Sequence, residues 1–258
     1  MASKSYGEVF DGDWDRLRSV IQVAASYKEK WPELIPLFEQ ISAQNAVFIM
    51  IWNMLINRII YVVDKRKVLG YDTSMYLAES GIDFIVANNH QATFNYYVIM
   101  QQQAIKYFEE FTGDISKVII NIEGMCKRYT GEYFHFFQQT VSIEMDNNGT
   151  PFLFLSYVHD ITYLKKERTG NLVITTPDES KWWNFNFDKN SLEPVQPLSK
   201  QEKRILSLLA EGKSSKEIAN ELSVSPHTID THRRNLLEKT NCIDTTGMIT
   251  YLKLVGLL

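Results

Sequence analysis

The sequence predicts an α+β protein: an antiparallel five-stranded sheet with helices on one face, followed by an all-α unit of four helices. Three observations lead to this prediction. Apolar β-rich runs alternate with turn signals over residues 46–161, short helical segments with serine caps fill residues 197–258, and the charge changes sign along the chain. Residues 197–258 have a formal balance of +2 and residues 1–196 one of −6, within a net charge of −4.

Length and composition set the broad class. A chain of 258 residues corresponds to about one or two domains. The 45% hydrophobic and 22% charged content excludes a wholly disordered protein, and 12 glycines and 7 prolines exclude a collagen-like one. We divide the chain into a helical N-terminal extension (1–45), a sheet domain (46–170), an extra hairpin and linker (171–196) and a C-terminal helical domain (197–258).

The N-terminal extension is predicted to contain two helices. Residues 13–29 carry an apolar stripe at three- and four-residue steps, and Trp31-Pro32 ends that helix. A second short helix follows, marked by Leu34, Leu37, Phe38 and Ile41. Their apolar face either packs on its own domain or forms a dimer contact, and the sequence leaves both open.

The first two strands are predicted at Val47–Trp52 and Ile59–Val63. The stretch 46–63 is the most membrane-like part of the chain, but Asn53 and Arg58 interrupt it and a spanning helix needs about 20 mostly apolar residues. No signal peptide is indicated at the acidic N-terminus. We therefore expect no membrane segment and a cytoplasmic location.

The rest of the sheet domain follows as helices and then strands. Short helical pieces broken by glycines occupy residues 68–90, and a longer helix spans 91–111. Three strands are predicted at 117–123, 131–145 and 151–161, with Asp146-Asn147-Asn148-Gly149 as a tight turn.

This order resembles a PAS sensor domain over roughly residues 46–165. The resemblance rests on a few short motifs: Ile59–Asp64 followed by Val68–Asp72, the strand opening at Gly131-Glu132-Tyr133, the turn Asp146–Gly149, and the closing segment His159-Asp160-Ile161-Thr162. It implies a small cavity under the helices that could hold an unidentified small ligand. Residues 171–196 depart from the family pattern, and this hairpin either extends the sheet or braces the tail.

The C-terminal domain has the helix caps and the turn that are typical of a helix-turn-helix. Ser199 with Glu202 forms a capping box for the first helix, and Ser214 or Ser215 caps the second. Ser225 caps the third, with Pro226 at its first position, and a fourth helix runs from about Thr245 to Leu254.

Residues 197–258 resemble the LuxR-type DNA-binding domain without gaps. The resemblance is carried by Leu198–Leu206, by Ala210–Ala219 and by Ser225–Asn235, which matches the family's recognition helix. It implies a four-helix module that binds double-stranded DNA as a homodimer, with RNA polymerase as a further candidate partner. The fourth helix would supply core and dimer surfaces through Met248, Ile249, Tyr251, Leu252 and Val255.

The resemblance also implies roles for individual residues. Base contacts fall to Asp230, Thr231 and Arg234, with Arg234 suited to a bidentate pair with guanine. Asp230 either accepts from cytosine or orients Arg234 through an i, i+4 pair, and both readings stay open. Phosphate contacts are assigned to Lys213, Lys216, His227, Thr228 and Arg233.

No catalytic or metal-binding pattern is apparent, so we expect no enzyme, no metal and no cofactor. Cys126 and Cys242 lie far apart and are expected to be reduced thiols, buried or half-buried. The sequence thus predicts a one-component transcriptional regulator whose PAS-like half senses a small ligand and alters dimer geometry. In the alternative, that half is a ligand-free dimerisation or partner-docking module on the same DNA-binding tail.

Overall fold

The computed structural model describes residues 30–78, 84, 91–167 and 169–258. Helices α1 (Ile35–Asn45), α2 (Thr73–Leu77) and α3 (Gln91–Glu110) belong to the N-terminal part. The tail contains α4 (Lys200–Ala210), α5 (Ser215–Leu222), α6 (Pro226–Thr240) and α7 (Thr245–Leu254). The strands are β1 (Phe48–Asn53), β2 (Arg58–Val63), β3 (Ile119–Lys127), β4 (Tyr133–Met145), β5 (Pro151–Asp160), β6 (Asn171–Thr175), β7 (Ser180–Asn186) and β8 (Ser191–Pro194). The helix expected over residues 13–29 lies outside the described residues.

All eight strands form one antiparallel sheet in the order β2-β1-β5-β4-β3-β6-β7-β8. Strands β1 to β5 make the five-stranded sheet that the PAS resemblance predicts. The strand count needs a correction, because β6 pairs with the edge of β3 and brings β7 and β8 into the same sheet. The segment 171–196 is therefore a continuation of the sheet, since β3 would otherwise present an unpaired edge.

The short motifs behind the PAS resemblance have structural roles. The Asp64 carboxylate accepts hydrogen bonds from the backbone N–H groups of Val68 (2.6 Å), Leu69 (3.0 Å) and Gly70 (3.0 Å) and so fixes the loop after β2. Asp160 at the end of β5 forms an ion pair with Arg128, whose guanidinium also donates to the carbonyl of Val68. One network thus ties three distant segments together.

Helices α2 and α3 cover one face of the sheet, which we call the front face. Their apolar side chains form a buried cluster with β1 to β5, including Tyr76, Tyr96, Met100, Phe136 and Phe154. Tyr96 packs so closely on β3 that a Cβ atom at Gly124 would lie 1.2 Å from its hydroxyl oxygen. Glycine at position 124 is therefore what lets α3 approach the sheet.

The opposite, back face is also covered, which corrects the expectation of helices on one face only. Helix α1 packs there through Phe38 against the β1, β2 and β5 side chains. The C-terminal tail covers the other half, where Phe137, Val173 and Trp182 of the sheet share a buried cluster with the tail's own core. The back face of an antiparallel sheet can stay solvated, but here its apolar residues need a cover.

A buried charged cluster joins the sheet to the tail. The Lys165 ammonium lies 2.8 Å from a carboxylate oxygen of Glu123 on β3, and both side chains are almost fully buried. The same ammonium donates to the carbonyl of Thr240 (2.9 Å) and sits 3.4 Å above the ring of Tyr251 on α7. Glu123 also accepts hydrogen bonds from Thr169 and Asn171. A carboxylate without these partners could not remain charged at such a site.

Burial by itself would raise the pKa of Glu123, but the Lys165 charge and the hydrogen bond from Thr169 outweigh it and lower the pKa below its usual value. A lowered folded-state pKa means that the carboxylate stabilises the fold above the unfolded-state pKa. That contribution is lost as the pH falls through the folded-state value.

We predict that Lys165→Met lowers the free energy of unfolding by about 3–5 kcal/mol, because it leaves Glu123 buried without its counter-charge. The double variant Glu123→Leu/Lys165→Met should recover most of this loss, since it removes both charges. Urea unfolding at pH 7 measures both effects. A single variant as stable as the wild type, or a double variant no better than the single, would contradict the buried pair.

Candidate nucleic-acid interface

The turn between α5 and α6 is tight and fully specified by local bonds. Helix α5 ends at Leu222, and the next residue, Ser223, caps it in a left-handed conformation with φ 55°. The N–H of Val224 donates to the carbonyl of Ala219 (3.0 Å). Helix α6 then begins at once, because the Ser225 hydroxyl accepts from the N–H of Thr228 (3.1 Å) and Pro226 occupies the first turn.

Small and apolar residues hold α5 and α6 together. Ala219 is 1% exposed, which lets the two helices approach closely, and Ile218 and Ile229 are fully buried beside it. Two capping boxes, at Ser199 and at Ser214, begin α4 and α5. Of the two serines expected to cap the second helix, Ser214 is the cap, whereas Ser215 is the first helical residue. The predicted helix-turn-helix is therefore present.

The outward face of α6 carries the three residues assigned to base contacts. Arg234 is exposed, and its guanidinium has no recorded hydrogen bond or ion pair with the described residues. Thr231 is half-buried and donates its hydroxyl to the carbonyl of His227 one turn earlier (3.0 Å). Arg234 is thus the most accessible donor on this face.

Asp230 does not pair with Arg234 in this structure. Its carboxylate accepts a hydrogen bond from the Ser215 hydroxyl (2.7 Å) and lies 3.8 Å from the guanidinium of Arg233. The i, i+4 alternative for Asp230 is therefore replaced by an i, i+3 contact and a bond to α5. This leaves Arg234 unconstrained by Asp230.

Arg233 braces three helices. Its two terminal nitrogens donate to the hydroxyls of Ser215 on α5 (2.9 Å) and Thr245 on α7 (2.9 Å). The Arg233 side chain is one-third exposed. This leaves part of it accessible to a phosphate, and that contact stays a prediction. The sequence did not predict these two hydrogen bonds of Arg233, because in the sequence Ser215 and Thr245 indicate only the beginnings of helices.

The other predicted phosphate contacts differ in availability. Lys216 and His227 are exposed, and Thr228 shares a hydroxyl contact with Ser225 (2.9 Å). Lys213 is engaged with Glu221 (2.6 Å) and Glu211 (3.1 Å), and hydrogen bonds to these carboxylates raise its pKa. Lys213 must exchange one of these partners before it binds a phosphate.

Most of the apolar side chains of α7 are buried within this chain, so few of them are available for a dimer contact. Met248, Leu252 and Val255 are buried in the core, whereas Ile249 is half-buried. Tyr251 is 1% exposed beneath the Lys165 ammonium and so belongs to the contact with the sheet. The part of α7 that carries Tyr251 is covered by this chain's own N-terminal half.

A small cavity of about 50 Å³ lies on the front face of the sheet. Its walls are mostly aromatic and aliphatic, and the lining includes Phe48, Tyr71, Tyr76, Phe84, Phe136 and Val158. Gln138 supplies an amide to the wall and donates to Thr140 (3.0 Å) and Ser156 (3.4 Å). Burial strongly raises the pKa of the Cys126 thiol in the same wall, which keeps it protonated.

Two further properties concern only the described part of the chain. No group of three or more His, Cys, Asp or Glu side chains is arranged there to hold a metal ion. None of its helices is both long and apolar enough to cross a membrane.

Comparison with known proteins identifies the tail. Residues 196–252 match the family model described as bacterial regulatory proteins, luxR family. The transcriptional regulatory protein MctR of Rhizobium johnstonii is 42% identical over 59 residues, which are 23% of this chain and 28% of that protein. The regulatory protein SdiA of Escherichia coli is 39% identical over 71 residues, 28% of this chain and 30% of that protein. The chain thus matches less than a third of the length of these relatives.

A solved structure covers more of the chain. The VqmA–ligand–DNA complex of Vibrio cholera aligns over 89% of this chain and 87% of that one, with 14% identity and a TM-score of 0.34.

We predict that Arg233→Ala destabilises the protein by about 1–2 kcal/mol, because two charge-assisted hydrogen bonds between helices are lost. Arg234→Ala is the matched control and should change the free energy of unfolding by less than about 0.5 kcal/mol, since its side chain is exposed. Urea unfolding compares the two. Equal losses would show that Arg233 does not brace the domain.

Proposed function

We propose that this chain is a transcriptional regulator that binds double-stranded DNA in a sequence-specific way. The premise is that residues 196–252 form a luxR-family helix-turn-helix domain. One observation carries the proposal: the outward face of α6 is exposed while its inner face is locked against α5. An exposed polar helix held rigidly in this way fits the major groove.

Base reading is assigned to the middle of α6 and phosphate binding to its surroundings. Arg234 has free donors for the O6 and N7 atoms of guanine, and Asp230 and Thr231 flank it on the same face. Lys216 suits a phosphate because it presents a cation, and the exposed His227 offers a polar side chain beside it. The N-terminus of α6 at Ser225 also suits a phosphate, because the start of a helix favours anions. Lys213, Thr228 and Arg233 complete the set after local rearrangement.

The protein is proposed to bind as a homodimer in the cytoplasm, with RNA polymerase as a further partner. Two recognition helices about 34 Å apart would read two half-sites. Tyr251 is occupied by the sheet, so pairing through α7 would use Ile249 and its exposed neighbours. No catalytic role is proposed.

The N-terminal half is proposed to sense a small ligand in the front-face cavity. Apolar walls with one amide, that of Gln138, have the character of a ligand pocket. A volume of about 50 Å³ holds roughly three or four water molecules. The ligand therefore has few heavy atoms, or it widens the cavity on binding.

The second candidate makes this half a ligand-free interaction module. The small volume of the cavity favours it, because a well-packed front face needs no ligand. The two functions differ in whether a small molecule stabilises the folded protein.

For DNA reading, we predict that Arg234→Ala lowers discrimination at one base position by about 1–3 kcal/mol, because a bidentate contact is lost. Lys216→Ala should instead weaken all duplexes alike, because a phosphate carries no sequence information. Binding of the full chain to matched and mismatched duplexes measures both. Equal effects of the two variants on discrimination would contradict the division of roles.

For sensing, we predict that the small-molecule fraction (below about 1 kDa) of the native host's cell extract raises the stability of the full chain. A ligand at 100 times its Kd adds about 2.7 kcal/mol. Val158→Phe, which fills the cavity, should abolish that increase when each protein is compared with its own ligand-free baseline. An increase that survives in Val158→Phe would move the ligand elsewhere, and no increase in the wild type would favour the ligand-free module.

A further inference from the structure

A short segment of the N-terminal half, Leu164–Glu167, runs directly along the end of α6. We call it the strap. The N–H of Ile243 donates to the carbonyl of Leu164 (2.9 Å), and the N–H of Lys166 donates to the carbonyl of Asn241 (3.1 Å). The Asn241 side chain in turn donates to the carbonyl of Glu167 (2.8 Å). These bonds form an antiparallel bridge that also pairs Lys165 with Cys242.

The strap is anchored on its other side by the buried charged cluster. Lys165 points inward to Glu123, Thr240 and Tyr251 and is completely buried. The strap is thus held to the sheet and to the tail at once.

Lys166 is exposed, unlike its buried neighbour Lys165, and lies beside the recognition helix. It lines a surface groove of about 270 Å³ together with Asp230, Arg233, Arg234, Leu237 and Glu238. Two of these lining residues, Asp230 and Arg234, are the base-contact candidates on α6. A lysine of the N-terminal half thus shares a groove with the DNA-reading face.

The charges in this groove favour an anion beside Lys166. Within the described part of the chain, Lys166 and Arg234 form no ion pair, and Asp230 already interacts with Ser215 and Arg233. Glu238 is the remaining acid, and no ion pair joins it to Lys166 within 4 Å. The ammonium of Lys166 is therefore available to a ligand.

We propose that Lys166 contacts a DNA backbone phosphate that flanks the bases read by α6, so the DNA-binding surface extends beyond the helix-turn-helix domain. This inference rests on the proposed DNA-binding function. Because the strap is fixed to both halves, Lys166 already lies beside α6 without any rearrangement of the domains. A lysine offers a point charge, which suits a phosphate better than a base edge.

The test uses the full chain with Lys166→Gln, Lys166→Arg and the control Lys106→Gln. Lys106 is an exposed lysine on α3, on the opposite face of the sheet, where it pairs only loosely with Glu110 (3.9 Å). Affinities are measured for a matched and a mismatched duplex between 50 and 200 mM salt.

Lys166→Gln should reduce the slope of log affinity against log salt by about 0.9 for each bound protomer. At 0.1 M salt this corresponds to about a five- to tenfold loss of affinity per protomer, equal for both duplexes. Lys166→Arg keeps the charge and should bind as the wild type does, and Lys106→Gln should have no effect.

Two results would overturn the assignment while leaving DNA binding intact. One is a salt slope for Lys166→Gln equal to that of Lys106→Gln, and the other is a loss confined to the matched duplex, which would indicate base reading. A wild type without salt-dependent DNA affinity would overturn the proposed function itself. Unfolding curves of Lys166→Gln should match the wild type, since among the described residues Lys166 is bonded only through its backbone.

Discussion

The buried pair between Glu123 and Lys165 is the interaction on which the arrangement of the two halves depends. It places a charge from the sheet and a charge from the strap in a site closed by Tyr251 of the tail. Neither charge tolerates burial alone, so the buried pair is stable only where the sheet, the strap and α7 meet. A LuxR-type domain on a flexible linker would have no need of such a site.

The front-face cavity and the C-terminal tail lie on opposite faces of the same strands. On β4, Phe136 and Gln138 line the cavity, whereas their neighbours Phe137 and Gln139 face the tail. Successive side chains of a strand point to opposite faces. Any shift of β4 on the cavity side would therefore also move the residues that contact the tail. The two sets of side chains are one residue apart along the strand.

Local signals explain what the sequence could predict. The caps at Ser199 and Ser225, the turn at Asp146–Gly149 and the alternating strands depend on neighbours within a few residues, so pattern reading recovers them. The luxR resemblance added the roles of Asp230, Thr231 and Arg234, and the exposed α6 face is consistent with them. The predicted helix boundaries in the tail are close to those observed, because helix caps also depend on neighbours within a few residues.

Long-range contacts explain what the sequence could not predict. Nothing in the sequence distinguishes Lys165 from Lys166, and only the fold places one residue inside and the other beside α6. The sequence left open whether residues 171–196 extend the sheet or brace the tail, because nothing in that segment indicates that β6 pairs with β3. Likewise, Ser215 and Thr245 signal helix starts, whereas their shared bond to Arg233 depends on how α5, α6 and α7 pack.

The most direct test of DNA reading is selection of duplexes from a randomised pool by the full-length protein, followed by sequencing. We expect an enriched site with two-fold symmetry, whose half-sites are centred about 10 base pairs apart. Failure to enrich any sequence, under conditions where the protein is folded, would contradict the claim that the exposed face of α6 reads DNA.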